Sequence, residues 1–239
     1  MGAVDDRLVA LRRAVFDGDG QRVVVALSRG PWGDLLQRAG DGLLVALVQG
    51  VEEAPELTRR CVMQLRARAW EGDDELACQL EAALGDRPAP MLRPLPVDLE
   101  ELAGILEGDL AHGGGRIDLH TGEVWPQAAI DYAREQGEQD PDEEDPDRWL
   151  AVWCEGSRDA YRDMEDFIDA LDDENLAERL AITISGRGAF RRFKDALGRR
   201  LGELEAWYGF SDERQRGRAR AWLAAAGYSA RVPRRPSST

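Results

Sequence analysis

Arg116-Ile-Asp-Leu-His-Thr-Gly-Glu-Val-Trp-Pro126 is the stretch that decides the fold class. Ile117 and Leu119 alternate with polar residues, and Val124 resumes the pattern beyond Gly122. Alternation with a period of two marks a strand with one buried face. Gly122 offers the left-handed position that a type I turn with a G1 bulge requires. The segment therefore predicts a β-hairpin in a chain whose other patterned segments are helical. The expected class is α+β, mainly α.

Further along, Trp149 to Cys154 reads as one more strand, with Trp149, Ala151 and Trp153 on one face. Before it, residues 134–147 include Asp140-Pro-Asp-Glu-Glu-Asp-Pro-Asp147, an acidic run expected to be a solvated loop. A calcium loop is the sharper alternative, but the run lacks the glycine and ligand spacing of an EF-hand. From Ser157, a good N-cap, a helix buries Tyr161, Met164, Ile168 and Leu171. A second helix covers about 173–184, Gly186-Arg-Gly188 opens a third, and Glu203 to Trp207 falls in a fourth. Ser211 caps a last helix with Ala219, Trp222 and Leu223 inward and Gly227 as its stop. With the acidic-ended helix Asp98 to Leu106, this gives a hairpin and one further strand packed on about five helices.

Toward the N-terminus the pattern is all helical. Asp5 or Asp6 caps a helix carrying Leu8, Leu11 and Val15, and Val23 to Leu27 forms another. Gly40 and Gly42 separate the Trp32–Leu36 segment from the run Leu43 to Val48. Leu57, Cys61, Leu65 and Trp70 follow the helical period, and Asp73-Asp74 caps a helix with Leu76, Leu80 and Leu84. Residues 1–86 thus form a helical bundle or hairpin module, without a 33- or 34-residue repeat signature. Arg87-Pro-Ala-Pro-Met-Leu-Arg-Pro-Leu-Pro96 is the expected linker, since alternating prolines extend the chain as a spacer. The α+β domain spans 97–228, and residues 229–239 read as a disordered tail.

Asp118-Leu-His-Thr-Gly-Glu-Val124, Tyr161-Arg-Asp-Met-Glu-Asp-Phe-Ile168, Gly186-Arg-Gly-Ala-Phe-Arg-Arg-Phe-Lys-Asp195, Trp207-Tyr-Gly-Phe210 and Arg218-Ala-Arg-Ala-Trp-Leu223 occur in this order. This pattern resembles a bacterial uncharacterised protein family, UPF0158, over residues of about 97–227. The helical N-terminal part lies outside the pattern and looks like an actinobacterial type of extension. The resemblance implies a domain and carries no activity, cofactor or site residue with it.

Composition sets the outer limits. The chain of 239 residues is 43% hydrophobic with seven tryptophans, enough for a core without metals or disulfides. A formal net charge of −15 argues against a duplex DNA or anionic membrane partner, which needs a basic footprint. Cys61, Cys78 and Cys154 lack CxxC spacing, and no signal peptide or long apolar run is present, so a cytosolic protein with reduced thiols is expected. His112 and His120 lie in no ligand spacing, and no metal or cofactor is expected.

One lysine stands against thirty arginines, and it is Lys194. On a helical wheel Phe190, Phe193 and Leu197 form a core stripe, and Lys194 falls about 40° from Phe190, at its edge. Ordinary packing accounts for this placement through a salt bridge to Asp163, Glu165, Asp166 or Asp169. The sharper reading is an anion site of Arg187, Gly188, Arg191, Arg192 and Lys194, in which free amides at a helix start join nearby cations. The segment matches neither the Walker A nor the GxGxxG pattern. Arg214, Arg216, Arg218 and Arg220 read as a solvated face, and Asp118 as a residue that satisfies turn amides. Asp163 with Asp166 and Asp172 with Asp173 are carboxylate pairs expected mostly at the surface, with no His or Cys beside them.

These observations point to a cytoplasmic, non-enzymatic interaction or regulatory protein that binds another protein through its helical module. The competing reading is a phosphate-, nucleotide- or RNA-backbone-binding domain centred on Gly186 to Asp195, with catalysis left open.

Overall fold

The computed structural model describes residues 2–30, 32–33, 35–108, 113–138 and 145–231, with side chains from residue 9 onward in those ranges. These residues form eleven helices and five short strands, an α+β fold that is mainly α. The middle of the acidic run, with the calcium alternative, His112, and the tail beyond residue 231 lie outside the described residues.

Helices α1 (Gly2–Phe16), α2 (Gly20–Ser28), α3 (Leu36–Val48), α4 (Ala54–Arg68) and α5 (Asp73–Leu84) stack in sequence. Each packs on the next, and α1 and α5 also reach α3, so the odd-numbered helices share one side. Their core holds Leu11, Val23, Leu27, Trp32, Leu43, Leu65, Leu76 and Leu80. The valine run at 23–25 is helical, as its neighbours imply. Helix α3 corrects one expectation, because it runs unbroken through Gly40 and Gly42. Those glycines mark close packing: a Cβ at 40 would press on Leu76, and one at 42 on Val23.

The remainder is built on two small sheets. Strand β1 (Arg93–Leu95) pairs in parallel with β5 (Tyr228–Ala230), so the proline-rich segment ends in a strand and the tail begins as one. Proline is tolerated at such an edge, where no donor is needed. Helix α6 (Leu99–Leu106) follows, its N-terminal amides capped by Asp98. Strands β2 (Gly115–Asp118) and β3 (Val124–Pro126) form the hairpin, and β4 (Trp149–Val152) pairs on the other edge of β2. Helix α7 (Gln127–Glu135) lies between β3 and β4 in sequence. The buried face of β4 is Leu150 and Val152, opposite to Trp149, Ala151 and Trp153. Gly122 has φ +79°, and a Cβ there would collide with the Pro96 carbonyl, so both turn and packing demand glycine.

Helices α8 (Arg158–Asp169), α9 (Glu174–Ile184), α10 (Ala189–Leu197) and α11 (Leu201–Ala225) complete the chain. Ser157 stands at the N-cap of α8 but makes no side-chain cap bond, whereas Asp173 caps α9 by accepting from the Leu176 amide. The expected fourth and fifth helices are one, 25 residues long, with Ser211 in its interior. At 1.5 Å per residue α11 spans about 37 Å, and along that length it touches α3, α5, α6, α8, α10 and β5. Its first turns bury Trp207 and Phe210 among Phe167, Phe193 and Leu180. Its last turns bury Ala219 and Leu223 against α6 and the sheet. Between these lies a polar stretch, and there α3 and α5 pack on it.

Candidate functional site

The polar middle of α11 and the face of α3 and α5 enclose a network of charged groups with almost no access to water. Glu213, Arg216 and Arg220 are spaced i, i+3 and i+7, which places them on one side of a helix. Asp41 is 3% exposed and Arg220 1%. Asp41 Oδ1 accepts from Arg220 Nη2 at 2.6 Å, and Asp41 Oδ2 accepts from Arg216 Nε at 2.8 Å. The remaining Arg220 donors go to Gln37 Oε1 at 2.8 Å and Gln79 Oε1 at 2.9 Å. Burial works to raise the Asp41 pKa, but the guanidinium groups of Arg220 and Arg216 outweigh it and hold the carboxyl below its ordinary value.

Glu213 does a second job. Helix α3 starts at Leu36 with no side-chain cap of its own. The Glu213 carboxylate accepts from the amides of Gln37 at 2.7 Å and Arg38 at 3.0 Å, so a residue of α11 caps α3 across the seam. Arg68 approaches Glu213 at 3.3 Å while also donating to Asp73 Oδ1 at 2.8 Å. Asp73 in turn accepts from the Trp70 amide and Gln37 Nε2, which fixes the α4–α5 turn. Burial pushes Glu213 up to about 7, against the pull of Arg68 and the two amides. Arg38 closes the upper edge by binding Asp212 with two nitrogens.

Shape accompanies charge. Gly217 on α11 crosses Gly72, which has φ +82°. A Cβ on Gly72 would overlap the Gly217 carbonyl, and one on Gly217 would overlap the Glu71 carbonyl. The backbones therefore touch where the ion pairs meet. Trp70 reaches past this crossing to stack edge-on against Phe210, with ring centroids 5.1 Å apart. Glu-x-x-Arg-Gly-x-x-Arg is thus the pattern that α11 presents to α3 and the α4–α5 turn.

The opposite side of α11 is tied to its own half of the chain. Arg214 donates to Asp163 at 2.9 Å and Asp166 at 2.8 Å. Arg218 binds Asp163 at 2.7 Å and also Glu107. The four arginines expected as a solvated face are therefore spent inside the molecule. Asp163, expected near the surface, is fully buried between two of them. A run of four arginines at alternate positions reads as surface because burying such charges is costly. It is feasible here because each guanidinium meets a carboxylate with matching geometry. The visible clue is the acid-and-arginine spacing together with Asp41 standing between two glycines just ahead of the apolar run Leu43 to Val48.

The residues singled out around Gly188 are dispersed. Gly188, φ +75°, precedes α10. Arg192 folds back and donates to the carbonyls of Thr183 at 3.0 Å and Ser185 at 2.8 Å, and to those of Gly186 and Arg187. It thereby closes the C-terminal end of α9, which otherwise leaves acceptors open. Arg187 is exposed, and the Arg191 side chain, 90% exposed, lies 3.9 Å from Asp195. Lys194 points elsewhere, its Nζ 6.0 Å from the Tyr208 ring centroid. The expected salt bridge to α8 is not formed among the described residues; Asp163 and Asp166 pair instead with Arg214 and Arg218. Instead Lys194 borders a cleft that also includes Arg12 and Arg38. Asp118 satisfies the hairpin turn, accepting from the amides of His120 at 2.7 Å and Thr121 at 3.0 Å.

Residues 117–232 match the sequence profile of an uncharacterised protein family, UPF0158. A UPF0158 protein of Pseudomonas aeruginosa is 27% identical over 138 residues, which cover 55% of this chain and 84% of that protein. No solved structure matches the chain. Among the described residues no helix is long and apolar enough to cross a membrane. The matched region contains Glu213, Arg216 and Arg220, whereas Gln37, Asp41, Arg68 and Asp73 fall outside it.

Proposed function

We infer that this chain, whose residues 117–232 belong to the uncharacterised protein family UPF0158, is a non-enzymatic interaction protein. Its helical module is read as a receptor for one helix. The observation that supports this is the seam itself, where α3 and the α4–α5 turn receive α11 through a charge pattern and a glycine crossing. Helix-in-groove recognition uses anchors at i, i+3 and i+7, the spacing of Glu213, Arg216 and Arg220. In the resting chain α11 fills the groove. A partner protein presenting a helix with the same acid, arginine and glycine positions would exchange with it. Exchange of this kind is energetically even-handed, since the same ion pairs form in either complex. A buried ion pair adds little net stability over an apolar contact, because desolvation offsets most of its Coulomb energy.

A labelled peptide of residues 201–225 tests this reading, titrated with the full chain and with residues 1–86. Saturable binding is expected, and the peptide carrying Glu213→Ala, Arg216→Ala and Arg220→Ala should bind at least about tenfold more weakly, a difference of about 1.4 kcal/mol. If neither protein binds the unaltered peptide, the module is a fixed structural part and the receptor reading fails.

A further inference from the structure

We propose that the cleft beside Lys194 is a binding site for a nucleoside monophosphate. The cleft has a volume of about 460 Å³ and opens where α1, α3, α10 and α11 converge. That size lies within the range of roughly 300–1,000 Å³ common for small-molecule sites. It adjoins the helix-binding seam at the Arg38–Asp212 pair, but the donors proposed for the ligand, on Arg12 and Lys194, take no part in that seam.

The charges around it do not cancel. Arg38 is neutralised by its bond to Asp212 through Nε and Nη2. Glu100 stands at the rim, largely exposed, 3.9 Å from Arg38. Arg12 and Lys194 remain. Arg12 lies only 3.9 Å from Asp212 as a loose ion pair, and its Nε is shielded from water without a hydrogen-bond partner. The Arg12 side chain as a whole is 38% exposed, so the guanidinium can be reached from the cleft through its other nitrogens. Among the described residues Lys194 meets no carboxylate, and its ammonium faces the Tyr208 ring. A lysine held only by a ring keeps three rotatable donors for an incoming oxyanion.

The walls specify the rest of the ligand. Tyr208 is half-exposed, and Phe190 is half-buried between this cleft and a neighbouring groove along the start of α8. Trp207 closes the floor from the aromatic core. A planar base against Tyr208 and Phe190, with its phosphate toward Arg12 and Lys194, uses both the ring surface and the unspent donors. Stacking of this type tolerates any base, because every base has a π face. An inorganic anion would use the donors alone.

Calorimetric and thermal-shift titration of the full chain with AMP, UMP, ribose 5-phosphate and inorganic phosphate decides the matter. AMP is expected to bind saturably and raise Tm, and inorganic phosphate to bind at least about tenfold more weakly. Lys194→Met and Arg12→Met should each weaken AMP at least tenfold, and Lys194→Arg should retain affinity within about threefold. Lys194 is exposed, so its substitution leaves the fold intact. The proposal is overturned if neither monophosphate binds at about 10 mM, a level at which even very weak sites fill. It is also overturned if phosphate binds as tightly as AMP, or if AMP binding survives both methionine substitutions.

Discussion

Helices α10 and α11 meet in one aromatic cluster, Phe193 edge-on to Trp207 with centroids 4.8 Å apart, yet they bury opposite chemistry. Helix α10 hides Ala189, Phe193 and Leu197 on one stripe and leaves Arg191, Lys194 and Asp195 in water. Helix α11 is apolar at both ends, and in between it hides Glu213 and Arg220 together with Gly217. The first helix is held by non-directional burial, which any tight apolar side chain can supply. The second is held by pairs that work only as pairs. Apolar contact lets α10 sit in its cluster, whereas the ion pairs fix which surface of α11 lies against α3 and α5.

The comparison is broken most severely at Asp41. Asp41→Ala leaves Arg216 and Arg220 buried without their carboxylate, and a loss of about 4 kcal/mol in urea unfolding is expected. The same seam made apolar, Asp41→Leu with Arg216→Met and Arg220→Met, should return to within about 2 kcal/mol of the parent. That variant would keep stability and lose the binding pattern, separating the two roles of the charges. Phe193→Ala, in the apolar half of the comparison, is expected to cost about 3–4 kcal/mol, with no comparable rescue by a charged pair.

Glu213 gives a smaller effect with a definite sign. Its pKa is about 7 in the folded chain against an ordinary 4.5, so the folded state holds the extra proton between those values. Stability from this group is therefore full below pH 4.5 and is lost as pH rises through 7. Asp41 has the opposite sign, its contribution fading only as pH falls below the ordinary carboxylate range. Glu213→Gln cannot titrate. The Tm advantage of the parent over this variant should be larger at pH 5 than at pH 8, measured on both proteins in parallel. An advantage that grows toward pH 8 would mean that Arg68 and the α3 amides hold Glu213 ionised.

What could be read in advance follows the same division. Helices α8 to α10 announce themselves through one apolar stripe each, and the hairpin through Gly122, because these follow from local periodicity and backbone sterics. Helix α11 has almost no net apolar side, so it reads as two helices parted before Ser211, with the arginines of its middle as a solvated face of the second. Gly40 and Gly42 read as breaks in α3 because their purpose, contact with Leu76 and Val23, lies in tertiary structure. The β1–β5 pairing joins residues from the proline-rich segment to the far end of the chain, and no local pattern signals it. Of the candidate anion residues, Lys194 does border a cleft, but its companions Arg12 and Arg38 come from helices distant in sequence.

The smallest effects are expected where the sequence is most basic. Arg192 makes its bonds to the α9 carbonyls at the surface, where water can replace them, so Arg192→Ala should cost about 0.5–1 kcal/mol. Lys194→Met should fall within about 0.5 kcal/mol of the parent, since it removes one exposed ammonium and keeps the stem. A loss above about 2 kcal/mol from either would place the segment among the directional, paired contacts of α11. Near-neutral values would mean that Lys194 contributes little to folding. The stability cost of the charges in this molecule would then sit at the seam, and the lysine at the cleft would be free to serve a ligand.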